Sequence, residues 1–234
     1  MSSPADFVRQ ERNVPIRLVA GSGHTDAVVG AIAGAKTSVW IATANLKQLM
    51  VAIPGVLPGV GRGGRGRNNF ASVLVLFERL IAKGVEIRLL HASPPSRPLA
   101  ADLKRRTGLA DPPRGITGRF EMRMCPRVHL KTVIVDGQSA YMGSANFTGA
   151  GLGAKNENRR NFELGIITTD DLMLDELQSL FDFAWRGASC KTCRLHAECA
   201  NPIDPEVKSA ASRVEPPPAR AGRRKPRPKF QVER

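Results

Sequence analysis

The chain has no run of about 18 or more apolar residues, so a membrane-spanning helix is not expected. Its first residues, MSSPADFVRQERNVP, carry charges and lack the apolar stretch of a secretory leader. Both absences lead to the expectation of a soluble, cytoplasmic protein without a transmembrane segment. Aromatic residues make up only 5%, which leaves few platforms for stacking on single-stranded bases. Histidine and cysteine occur four times each. Acidic residues are scarce beside basic ones, 21 against 35, giving a net charge of +14. The excess is not confined to one end. Residues 205–234 hold nine Lys/Arg against three Asp/Glu, and the preceding residues still carry +8. A field of this sign attracts polyanions, nucleic acid first and anionic lipid second.

The 234 residues suffice for one domain with tails, and an apolar content of 42% supports a core. After a polar lead-in over residues 1–15, PIRLVA (15–20) reads as a strand. Thr25 or Asp26 is placed to cap the small-residue helix AVVGAIAGAK (27–36), with His24 as a helix-start residue. SVWIATA (38–44) is apolar enough for a central strand. ASVLVLFERLIAK (71–83) has helical periodicity and Gly84 at its C-cap, and VEIRLLH (85–91) is the next strand. A short helix over 99–107 and a strand over 119–124 follow. Residues 170–185 read as a closing amphipathic helix with Leu172, Leu174, Leu177, Leu180, Phe181 and Trp185 inward. Alternating strands and helices indicate an α/β sandwich around a mixed sheet.

The chemistry concentrates in HLKTVIVDGQSAYMGSAN, residues 129–146. Residues 130–135 favour a strand, Asp136-Gly137 a turn, and 139–142 a returning strand. On an extended strand His129 and Lys131 share a face, with Leu130 opposite. An imidazole beside an ammonium suits a phosphate, since lysine supplies a point charge and histidine attacks or transfers a proton. Gly143 permits close backbone approach, and Ser144 and Asn146 add short polar groups.

The pattern H-x-K-x4-D-x6-G-S-x-N, at His129, Lys131, Asp136, Gly143, Ser144 and Asn146, resembles the HKD motif of the phospholipase D superfamily. The order of elements over residues 16–186 is similar to one half-unit of that superfamily, which implies a phospholipase D-like α-β-α sandwich. The resemblance implies two HKD motifs per site, one histidine forming a phosphohistidine and the other protonating the leaving oxygen. None of His24, His91 and His196 is followed by lysine two residues on. The chain thus resembles the small single-motif bacterial endonucleases of the superfamily, and a homodimer is expected to complete the site. In such a site Lys131 and Asn146 bind phosphate oxygens, Ser144 supports the phosphate or the imidazole, and Asp136 is mainly structural. An acidic residue after the G-S-x-N segment orients the imidazole; Glu163 is the first choice and Glu157 the second. No cofactor is expected for catalysis. The expected activity is a metal-independent phosphodiesterase, most readily a nuclease on DNA or RNA. Two alternatives stay open: a phospholipase D or phosphatidyltransferase acting on phospholipid, and a nucleic-acid-binding module with little turnover.

Three segments stand outside the motif. Residues 45–70 combine an apolar stretch, Pro-Gly punctuation and Arg62, Arg65 and Arg67 among glycines. They read as a lid carrying guanidiniums to phosphates, a lipid-facing loop at 50–60, or a surface insertion. Residues 188–204 contain C-x2-C-x2-H-x2-C at Cys190, Cys193, His196 and Cys199. A structural zinc, an iron–sulfur site and uncoordinated or redox thiols are all open there, whereas Cys125 reads as a small packing residue. Residues 205–234, with Arg223, Arg224 and Lys225 in a Pro-rich basic run, read as a disordered tail for electrostatic attachment to nucleic acid.

Overall fold

The computed structural model describes residues 5–53, 70–110, 117–199 and 202–203. Arg62, Arg65, Arg67, Arg223, Arg224 and Lys225, and with them the basic tail, lie outside the described residues.

Seven strands form one mixed sheet. They are β1 (Ile16–Ala20), β2 (Ser38–Thr43), β5 (Glu86–His91), β6 (Phe120–Met124), β7 (Thr132–Val135), β8 (Ser139–Gly143) and β9 (Leu164–Thr168), in the spatial order β1-β9-β8-β7-β2-β5-β6. β2, β5 and β6 run parallel, and β7, β8, β9 and β1 follow antiparallel. Two short strands, β3 (Met50–Ala52) and β4 (Phe70–Ser72), make a separate ribbon at the ends of the 45–70 segment, where the sequence suggested only loop.

One face of the sheet is covered by α1 (Gly30–Ala33) and α2 (Val73–Ala82), with α3 (Arg97–Arg105) and α4 (Thr107–Ala110) beside α2. The other face carries α5 (Asp171–Trp185). α2 starts where the Ser72 side chain accepts from Leu74 N, and Gly84 follows its end at φ +91°. It buries Val73, Leu74, Leu76, Phe77, Leu80 and Ile81, each contributing roughly 1.5–3 kcal/mol by area removed from water. Phe77 lies 5.8 Å from Phe120 and 6.3 Å from Phe147, which ties β6 and the segment after the β7–β8 hairpin to one helix. On the opposite face Phe181 stacks between Trp40 and Trp185, at 5.2 and 5.7 Å.

Three local expectations change. The first helix opens as a π-helix, Thr25–Val29, and neither Thr25 nor Asp26 caps it. The Thr25 hydroxyl instead donates to the Leu152 carbonyl. Leu172 is 60% exposed, because the buried stripe of α5 runs through Leu174, Phe181 and Trp185 and Leu172 falls off it by helical spacing. The lead-in is tied down by ion pairs to the α5 region, Arg9 with Glu176 and Arg12 with Asp170.

Candidate active site

β7 begins at the end of the sheet where β2 and β5 terminate, since Thr132 pairs with Ala42 and Thr43 with His91. Carboxyl ends of parallel strands are where open sheets commonly place ligands. The residues just before β7 bring His129 and Lys131 to this end. Leu130 points to the α5 side and packs with Phe181 and Trp185, while His129 is exposed.

The Lys131 ammonium stands 3.0 Å from His129 Nδ1 and 3.2 Å from Nε2, and donates to the His129 carbonyl at 2.8 Å. Partial burial pulls its pKa below the ordinary lysine value, and the Glu163 carboxylate pulls it back up. Lysine and glutamate therefore belong to one electrostatic unit.

Ser144 follows β8 and bridges to β9. Its hydroxyl donates to the Glu163 carboxylate and accepts from Leu164 N at 3.1 Å. The other Glu163 oxygen accepts from Asn161 Nδ2 at 3.0 Å. Glu163 thus reaches Ser144, whereas Glu157 lies exposed in a short 3-10 turn, Glu157–Arg159. Among the described residues the hydrogen bonds of Glu163 go to Ser144 and Asn161, not to the imidazole.

Asn146 is held by its carbonyl. Oδ1 accepts from Asn45 N at 3.0 Å and lies 3.3 Å from Thr43 Oγ1, which leaves the NH2 half for a ligand. The Thr43 hydroxyl also accepts from Phe147 N at 2.9 Å and so fixes the backbone beside Asn146. Thr43, Asn45 and Asn161 were not singled out from the sequence. The available signal was the polar pair Thr43 and Asn45 at the carboxyl end of a buried strand.

Gly143 has a different reason from ligand approach. A Cβ there would meet Leu164 O at 2.5 Å, Gly165 Cα at 2.6 Å and the Tyr141 hydroxyl at 2.7 Å. Tyr141 lies across the paired Gly143 and Gly165. Burial pushes its phenol up to about 12, with Glu163 adding to the rise, so it stays neutral.

Asp136 sits at the far end of β7. Its carboxylate accepts from Lys36 N, Thr37 N and Ser38 N at 2.8–3.1 Å and from Thr37 Oγ1 at 3.0 Å. Burial raises its pKa, but the amides of Ser38, Thr37 and Lys36 outweigh this and hold it below the usual carboxylate range. This placement is structural: it staples the β7–β8 turn to the start of β2. Its own backbone is left-handed, at φ 55°.

None of the remaining histidines is exposed as His129 is. His24 is fully buried, with Nδ1 3.1 Å from Gly21 O and its ring edge-on to Tyr141. His91 is buried at the end of β5, with Nδ1 2.8 Å from Ser93 O; burial lowers its pKa and the Ser93 carbonyl partly offsets this. His196 lies in the cysteine-rich turn, where Cys190, Cys193 and Cys199 line one small cavity with it and with Cys125.

No curated protein sequence matches this chain. Its fold is similar to solved structures at low identity. Nuc from Salmonella typhimurium, a phospholipase D family member, aligns at TM-score 0.49 and 14% identity over 74% of this chain and 95% of that one. NucT from Helicobacter pylori aligns at TM-score 0.45 and 13% identity over 73% and 94%. Phosphatidylserine synthase from Haemophilus influenzae Rd KW20 aligns at TM-score 0.46 and 14% identity over 71% of this chain and 36% of that one. The model of the family described as cardiolipin synthase, PLD-like domain, matches residues 28–185, and the chain belongs to that phospholipase D-like family.

Proposed function

We propose that this protein is a metal-independent phosphodiesterase that cleaves nucleic acid through a phosphohistidine, at a site completed by a second copy of the chain. The observation that carries this reading is that His129 is the one exposed histidine among the described residues and shares a sheet end with Lys131, Ser144 and Asn146. His24 and His91 are buried, and His196 lies in the cysteine cavity. A reaction that needs both a nucleophile and an acid therefore draws its second imidazole from another chain.

One His129 attacks phosphorus as the bond to the leaving oxygen breaks, and the second copy's imidazolium gives that oxygen its proton. That imidazole, now neutral, takes a proton from water as water attacks the phosphohistidine, which returns the first ring to its starting form. The lysines and the Asn146 amides stabilise charge on the non-bridging oxygens.

An apolar edge that reaches the site at Leu164 supports the second copy. Ile16, Leu18 and Leu164 are 51%, 68% and 59% exposed, on the edge strand β1 and its neighbour β9. Leu164 is also the residue whose amide donates to Ser144. The net charge of +14 favours a polyanion as substrate.

Incubation with labelled DNA, RNA and phosphatidylcholine vesicles in EDTA, comparing wild type with His129→Ala, tests the reading. Nucleic-acid cleavage that vanishes in the variant is expected; cleavage of lipid alone would overturn the substrate assignment. A phospholipid substrate is the second reading. Met50 and Phe70 are 37% and 44% exposed on the same face of the β3–β4 ribbon, at the two ends of the 54–69 segment. Vesicle flotation that fails with Met50→Ser/Phe70→Ser would favour it.

A further inference from the structure

After Trp185 the chain leaves α5 through Gly187 at φ +67° and winds into consecutive turns. Cys190 N donates to Gly187 O at 2.8 Å, Cys193 N to Cys190 O at 3.0 Å, His196 N to Cys193 O at 2.9 Å and Cys199 N to His196 O at 3.3 Å. Each turn returns a side chain to the same side, and three of these side chains are thiols. The fourth thiol comes from elsewhere in the sequence. Cys125 follows β6, its amide donates to His91 O at 2.9 Å, and it reaches the same cavity.

All four cysteines are unbonded to one another and half-buried. Met124, Leu195, Pro202 and Ile203 wall the cavity. Within this turn-rich segment Ile203 is the one buried apolar residue among those described, so hydrophobic burial alone gives it little to fold upon. Small segments with so little core are commonly held by a cross-link or a metal. Glycine is required where the segment starts, since a Cβ at Gly187 would meet Ile203 Cβ at 2.9 Å and Cys190 Sγ at 3.1 Å.

We propose that Cys125, Cys190, Cys193 and Cys199 form a four-thiolate metal centre, for zinc or an iron–sulfur cluster, that clamps the C-terminal turns onto the segment leading to His129. Four thiolates are a complete ligand set for either centre, and both bind with loss of the thiol protons. Among the described residues no three ligating side chains already stand at the spacing of a single ion. Loading the centre would therefore draw the four sulfurs, which already line one cavity, closer together. His196 is then an accessory group: its Nε2 is buried without a hydrogen-bond partner and lines the same cavity, from which it can donate to a thiolate sulfur. Cys125 is separated from His129 by Pro126, Arg127 and Val128, so the clamp bears on the backbone that presents the imidazole.

The test is metal and sulfide analysis of the full chain purified without oxygen, with its visible spectrum. Zinc with a featureless spectrum, or iron with equimolar acid-labile sulfide and a broad visible absorption, each supports the centre and says which it is. Cys125→Ser and Cys193→Ser should each lower the metal to background, while His196→Ala and His129→Ala retain it. Full metal in Cys125→Ser with loss in His196→Ala would overturn the ligand set in favour of Cys190, Cys193, His196 and Cys199. Metal-free wild type, with its thiols free or paired as disulfides, would overturn the centre itself. Should the serine variants fail to fold, cobalt titration of the apo wild-type chain reads the number of thiolates from its charge-transfer bands. Fewer than four thiolates would overturn the proposal. Hydrogen exchange with and without metal reads the clamp: removal should raise exchange over 188–199 and 125–130.

Discussion

The Ser144 hydroxyl donates to the Glu163 carboxylate across the ends of β8 and β9. The two residues are 19 apart in sequence, yet they form one unit with Lys131, whose pKa responds to the same carboxylate. Glu163→Gln should lower kcat about 10–100-fold, the scale for groups that orient reacting residues, with KM little changed. Because Glu163 pulls the Lys131 pKa upward against burial, its removal lets that pKa fall further. The alkaline limb of the rate profile should therefore move to lower pH in Glu163→Gln, which Ser144→Ala should not reproduce. A pH series on a small chromogenic phosphodiester reads both effects.

Asp136→Asn should destabilise the fold by about 1.5–3 kcal/mol, the range for hydrogen bonds to a charged group. Asparagine tolerates the left-handed backbone at this position, so the loss reports the charge. The folded-state pKa of Asp136 lies below its ordinary value. Its stabilisation is full above the ordinary aspartate pKa and is lost as pH falls through the lower folded value. Urea unfolding at a series of pH values should show a shallower acid-side loss in the variant than in wild type.

Gly165→Ala should destabilise by roughly 1–3 kcal/mol, the cost of overpacking, because its Cβ would run into the Tyr141 ring. Gly165→Ala combined with Tyr141→Val should cost less than the sum of the two single changes, since the valine leaves the space that the new methyl needs. Thermal unfolding of the four proteins in the cycle measures the coupling.

Leu18→Lys places a charge in the apolar edge formed with Ile16 and Leu164. For the proposed two-chain site, dissociation should become at least about tenfold easier, equivalent to 1.4 kcal/mol. Specific activity should then become dependent on protein concentration, and sedimentation alongside activity at several concentrations checks both. Unchanged activity in a monomeric variant would overturn the two-chain site.

Much of the architecture was legible in the residues because burial has a period. The apolar runs at 38–43, 86–91 and 132–135 are buried strands, and Val73 to Ile81 has one apolar stripe, as the alternation and the 3.6-residue repeat require. Residues 130 and 131 were expected in the strand, which starts only at Thr132, yet the His129 and Lys131 side chains still meet and Leu130 lies on the α5 side. Chemistry carried by near neighbours in sequence, as in the run from His129 to Asn146, can be read before any fold is known.

Partnerships across distant segments could not be read in this way. Glu163 gains Ser144 through the β8–β9 pairing, Asn146 is fixed by Thr43 and Asn45 of β2, and Asp136 is satisfied by the backbone of residues 36–38. The sequence alone suggested that Gly143 serves ligand approach; the packing of Tyr141 over two paired glycines gives it another purpose. Cys125 read as a small apolar packing residue, and it comes to share a cavity with the other thiols only because the end of β6 lies beside the turns after α5. Periodic burial and a local motif act over a few residues and are written along the chain. Hydrogen bonds and thiol clusters between strands depend on register and on crossings between elements, which exist only after the chain has folded.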